Sequence, residues 1–134
     1  MSAITTHVLD TARGRPAAGV PITLEVRATV PPDAQAASCL DGQSAQSAQS
    51  AGWTMLGRGV TDNDGRLRTL LPAGAPLAEG FYRLTFDTGS YFAGLGLSGF
   101  YPEVIVIFEI QDPAQHYHVP LLLSPYGYST YRGS

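Results

Sequence analysis

Residues 21–27, Pro-Ile-Thr-Leu-Glu-Val-Arg, alternate apolar and polar side chains without a break. In an extended chain this puts Ile22, Leu24 and Val26 on one face and Thr23, Glu25 and Arg27 on the other. A helix would scatter these side chains around its circumference, so the segment demands a sheet with one dry face and one wet face. Ala3 to Asp10 follows the same period, with Ile4, Thr6 and Val8 opposed to Thr5, His7 and Leu9. Phe81 to Asp87 turns Tyr82, Leu84 and Phe86 inward. Further strands are expected at Trp53 to Val60, Leu67 to Leu71 and His116 to Ser124. Glu103 to Ile110 is apolar on both faces, as in a central or interface strand. Gly14, Pro16 and Gly19 mark one turn region, and Thr61-Asp62-Asn63-Asp64-Gly65-Arg66 marks another. Thr88 to Gly96 alone reads as helix, started by Asp87 or Thr88 as N-cap and weakened by its glycines. Seven or eight short strands and one weak helix give an all-β sandwich.

The 134 residues suit a single domain, 1–134. Within it, 28–52 is read as a flexible insert: a near repeat of Ser-Ala-Gln has too few large apolar side chains to offset the entropy of ordering it. Only 14% of the residues are charged, against about 25% in an average soluble domain, so part of the surface is expected to be covered by another copy of the chain. The eight basic residues are all arginine and form no cluster, and the formal charge is −3. Nucleic-acid binding is therefore disfavoured. The longest strongly apolar run, Val104 to Phe108, is far short of a membrane span of about 20 residues. The opening MSAITTHVLD lacks the basic start and apolar stretch of a secretory signal, and a lone Cys39 leaves no internal disulfide framework. These features point to the cytoplasm.

Chemistry is concentrated in three places. His116 and His118 are two apart on an expected strand and so share a face. They fit three roles: satisfied histidines at the edge of a core, general acid/base groups near neutral pH, or metal ligands. With His7 they would make a three-histidine zinc site, although no carboxylate beyond Asp10 and Asp112 lies near to orient such ligands. Arg66, closing the Asn-Asp-Gly turn, is either a solvated charge or a rigid donor to an oxyanion. No Gly-x-Ser-x-Gly elbow is present, and Cys39 lies in the insert, so covalent catalysis is disfavoured. Four of the seven tyrosines fall after residue 115, which predicts a tail that docks.

Five of these segments, taken in order, are similar to the 5-hydroxyisourate hydrolases, transthyretin-like enzymes of purine breakdown. They are Thr6-His7-Val8-Leu9-Asp10 with Arg13-Gly14 and Pro16-Ala17; Thr61 to Arg66; Phe86-Asp87-Thr88; Phe100-Tyr101-Pro102-Glu103; and His116-Tyr117-His118-Val119-Pro120-Leu121-Leu122-Leu123-Ser124-Pro125 closing in Tyr131-Arg132-Gly133-Ser134. The resemblance implies a transthyretin-like sandwich of two antiparallel sheets with one short helix. It implies a homotetramer, a dimer of dimers, with sites in the channel where dimers meet. The implied reaction is cofactor-free, metal-independent hydrolysis of 5-hydroxyisourate to 2-oxo-4-hydroxy-4-carboxy-5-ureidoimidazoline in urate degradation. By motif position the catalytic set is His7, Arg66 and His118, with His116, Tyr131 and Ser134 binding substrate. The insert departs from the family pattern. A non-enzymatic carrier on the same fold and a zinc hydrolase are the competing readings.

Overall fold

The computed structural model describes residues 3–27, 52–72, 75 and 77–133. Two sheets face each other across one core. The first contains β1 (Ile4–Asp10), β2 (Arg15–Pro16), β5 (Arg66–Leu67), β8 (Tyr117–Ser124) and β9 (Gly127–Thr130). Its order is β2-β1-β8-β9, with β5 also paired to β1. The second runs β4 (Trp53–Val60), β3 (Pro21–Arg27), β6 (Gly80–Phe86), β7 (Val104–Ile110). All pairs are antiparallel except β1 with β8, the first and the last long strands, which run parallel at the centre of their sheet.

The period-two reading places the core correctly. Ile4 and Val8 of β1, Ile22 and Leu24 of β3, Tyr82, Leu84 and Phe86 of β6, and Val119, Leu121 and Leu123 of β8 are buried between the sheets. Asp87 is the N-cap of α1 (Thr88–Gly94): its carboxylate accepts from the Ser90 backbone N–H at 3.1 Å and from the Ser90 hydroxyl at 2.8 Å. The helix is tied to the first sheet by Tyr91, whose hydroxyl donates to the buried Asp10 carboxylate at 2.7 Å.

Three expectations need correction. The strand read at Leu67 to Leu71 is only β5; beyond Leu67 the chain leaves the sheet, Leu70 and Leu71 turn into the core, and the Leu70 carbonyl packs on the bare backbone of Gly57. The strand read from His116 begins at Tyr117, and after Ser124 the chain reverses into β9, a hairpin arm hidden from sequence by the turn at Pro125-Tyr126. Glu103 to Ile110 yields β7, an edge strand of the chain, so of the central and interface readings only the central one is set aside. Its Ile105 and Ile107 are 43% and 57% exposed, which explains why both faces are apolar only if something else covers them. The insert at 28–52 lies outside the described residues apart from Gly52, and Cys39 with it. Its flanks are described: Arg27 and Trp53 stand directly opposite each other at the end of the β3–β4 pair.

Candidate active site

The outer face of the first sheet collects the chemistry. In β1, Thr5 and His7 point away from the core because Ile4, Thr6 and Val8 point into it. Parallel pairing sets Thr5 opposite His118 and His7 opposite Pro120, while antiparallel pairing with β5 sets His7 opposite Arg66. Residues about 110 positions apart in the chain are thereby brought side by side.

Arg66 is delivered by a stiff turn. Asp62 accepts from the backbone N–H groups of Asp64 at 2.9 Å and Arg66 at 3.0 Å, and the Gly65 carbonyl accepts from Val8 N–H at 2.7 Å. Gly65 has φ of 74°, and a Cβ there would overlap the Val8 carbonyl, so this turn requires glycine. Thr61, buried at the start of the turn, donates to Ala17 C=O and accepts from Val20 N–H. Among the described residues the Arg66 guanidinium forms no salt bridge, which leaves its charge for an incoming group.

The histidines differ in their ties. His7 Nε2 lies 2.9 Å from the Asp64 carbonyl oxygen. A carbonyl only accepts, so the neutral ring carries its proton on Nε2 and presents Nδ1 as the free acceptor. His118 Nδ1 lies 2.9 Å from the Thr5 hydroxyl oxygen, which is also 3.1 Å from His116 Nε2. Both His7 and His118 have pKa values below the usual imidazole range. For each the main cause is burial and the next is the Arg66 charge; His7 and His116 add further repulsion at His118. Hydrogen bonds to the Asp64 backbone at His7 and the Thr5 backbone at His118 oppose the shift. These shifts favour the neutral imidazoles beside a fixed cation, an arrangement that can supply bases and stabilise an anion.

The tail runs beside β8 at the edge of the first sheet. Gly133 N–H donates to the His118 carbonyl at 2.8 Å, and the bridge between these two residues continues the β8–β9 register. A Cβ at 133 would stand 2.6 Å from His118 Cδ2 and 3.2 Å from Pro120 Cγ, so glycine lets the tail lie against the imidazole. Arg132 donates to Gln115 and lies over the Tyr117 ring. Tyr131 is exposed, and Ser134 falls outside the described residues. The structure thus brings together His7, Arg66 and His118, sets His116 behind Thr5, and runs Tyr131 along the margin. Thr5 and Gly133 are the contributors that sequence reasoning passed over; the shared face of Thr5 and His7 was the available signal. A mostly apolar cleft of about 240 Å³ beside His118 is walled by Val106, Phe108, Tyr131 and Arg132 but includes neither His7 nor Arg66. On one chain the site is an open face. No three His, Cys, Asp or Glu side chains among the described residues converge as metal ligands.

A family model described as the HIUase/transthyretin family matches residues 4–133. The chain belongs to the HIUase/transthyretin family. A 5-hydroxyisourate hydrolase of Caulobacter vibrioides is 44% identical over 138 residues, covering all of both chains. Among solved structures, the Klebsiella pneumoniae 5-hydroxyisourate hydrolase is similar with a TM-score of 0.70 and 34% identity over 98% of each chain. Sea bream transthyretin in complex with thyroxine has a TM-score of 0.76 but 27% identity, covering 98% of this chain and 94% of that one. Backbone shape fits the hydrolase and the thyroxine-binding branch alike, so side chains have to separate them.

Proposed function

We propose that this member of the HIUase/transthyretin family hydrolyses 5-hydroxyisourate to 2-oxo-4-hydroxy-4-carboxy-5-ureidoimidazoline in urate breakdown. The observation that carries the reading is the convergence of His7, His118 and Arg66, which has no salt-bridge partner among the described residues, on one sheet face, in a chain 44% identical to a protein named for that activity. His118 takes a proton from water as the oxygen attacks the ring carbonyl, and Arg66 stabilises the developing oxyanion; collapse of the tetrahedral intermediate then breaks the ring C–N bond, and the proton held by His118 passes to the leaving nitrogen. His7, whose Nε2 proton is committed to Asp64, accepts from the attacking water through Nδ1 and so positions it. His116, Tyr131 and Ser134 are assigned to substrate binding by their motif positions. The reaction as proposed needs no metal or cofactor.

The exposed isoleucines of β7, the exposed Tyr126, Tyr128 and Tyr131, and the open face of the site favour a homotetramer, a dimer of dimers, whose facing sheets complete the pocket. The cytoplasm is the proposed compartment. No helix among the described residues is long and apolar enough to cross a membrane.

Generating 5-hydroxyisourate in situ from urate and following its ultraviolet absorbance tests the activity: the expected result is decay well above the spontaneous rate, and it should survive exhaustive chelation. Decay at the spontaneous rate would return the chain to the carrier reading that the thyroxine-bound neighbour represents. Activity restored only by added zinc would favour the three-histidine zinc hydrolase.

A further inference from the structure

The Thr5 hydroxyl sits between two imidazole nitrogens, 2.9 Å from His118 Nδ1 and 3.1 Å from His116 Nε2, and the residue is only 5% exposed. A hydroxyl has one proton to give. It can donate to one ring, and the other ring must donate to it. Two arrangements satisfy all three groups. In the first, His118 Nδ1–H donates to Thr5 and Thr5 donates to His116 Nε2, which leaves the lone pair of His118 on Nε2. In the second the chain of donors is reversed, and His118 carries its proton on Nε2, where it could not accept one.

Resting on the hydrolase reading, we propose that Thr5 is a positioning residue that fixes the tautomer of His118, with His116 as the terminal acceptor that orients the Thr5 hydroxyl. Parallel register makes the geometry available, because it sets Thr5 opposite His118. A second histidine two residues before the base therefore acts through the threonine, and its exposed ring need not touch substrate for its loss to be felt. When His118 Nε2 takes the proton of water, the cation forms next to a hydroxyl already aligned to accept from Nδ1, so no ring flip or solvent rearrangement precedes the step.

The chain has three histidines, so ring nitrogen-15 spectra are simple to assign. In the wild-type protein at neutral pH, His118 is expected to carry its proton on Nδ1 and His116 to have an unprotonated Nε2 in its neutral form. In Thr5→Val, which keeps the shape and removes the hydroxyl, His118 should become a mixture of tautomers, and kcat should fall by about 10- to 100-fold with little change in KM. Thr5→Ser should restore both the single tautomer and kcat to within about threefold. A wild-type His118 protonated on Nε2 would overturn the inference, as would a Thr5→Val enzyme with unaltered kcat. The tautomer measurement uses no substrate: a wild-type protein inactive on 5-hydroxyisourate would overturn the hydrolase reading, while the spectra would still decide whether Thr5 sets the ring.

Discussion

At His118 and Arg66 the sequence supplied the residue types and the structure supplied their neighbours. His118→Ala and Arg66→Ala are each expected to lower turnover by at least about 10²-fold, as loss of a general base or an oxyanion donor does, with assembly unchanged by gel filtration. Near wild-type turnover in either variant would remove that residue from the mechanism. The pH profile follows from the same contacts. Burial and Arg66 disfavour the charged forms of His7 and His118, so the acid limb of kcat/KM should have its midpoint below the ordinary histidine value of about 6.5. Stability has the same sign. Below that value the unfolded chain binds protons that the folded chain resists, so the unfolding free energy should decline as pH falls through the window beneath about 6.5. Titrating activity and a urea midpoint side by side checks both, and an acid limb above 6.5 would contradict the assigned environment. For Thr5 the sequence offered only a shared face with His7, and for Gly133 nothing local records that it will touch His118; each matters through a neighbour more than 14 positions away in the chain.

Short elements carry the positioning, and they are the ones a sequence conceals. The alternation in β1, β3 and β6 was plain because each has a buried face to fill. β5 is two residues long and β9 four, too short for any period, yet β5 presents Arg66 and β9 starts the tail back along β8. Removing residues 131–134 cuts no strand; it deletes the Gly133 to His118 hydrogen bond and the Arg132 contacts with Gln115 and Tyr117. Turnover is expected to fall at least about tenfold, while stability changes by about 1–2 kcal/mol. Assay and melting curve on the truncated chain separate these, and a large loss of melting temperature would make the tail a structural arm. The helix is held differently. Tyr91 donates to Asp10, which is 1% exposed, so Tyr91→Phe leaves a buried carboxylate with one donor fewer. A destabilisation of about 1–3 kcal/mol, read as a lower urea midpoint at constant slope, is the expected result.

For the molecule as a whole, fold class was legible from the density of short alternating segments, whereas strand order was not. No local pattern states that the first strand pairs with the eighth, or that an apolar strand such as β7 ends at an edge. The Arg27–Trp53 pairing bears on the segment between them: the chain departs from and returns to adjacent points. Replacing residues 29–51 with a short Gly/Ser turn is accordingly expected to preserve turnover and assembly, since loop closure changes by only about 0.6 kcal/mol per doubling of length. A collapse to smaller species in ultracentrifugation would assign the segment to an interface. The parallel β1–β8 pair has a further consequence, in time. During synthesis β1 is made first, yet its central neighbour is translated more than a hundred residues later, on the order of ten seconds at ordinary ribosomal speed. Throughout that interval one side of β1 is a row of unpaired amides that nascent-chain chaperones can recognise. His7 and Arg66 are translated before His118, so under the proposed mechanism a chain released before residue 118 lacks its base and is expected to show no turnover.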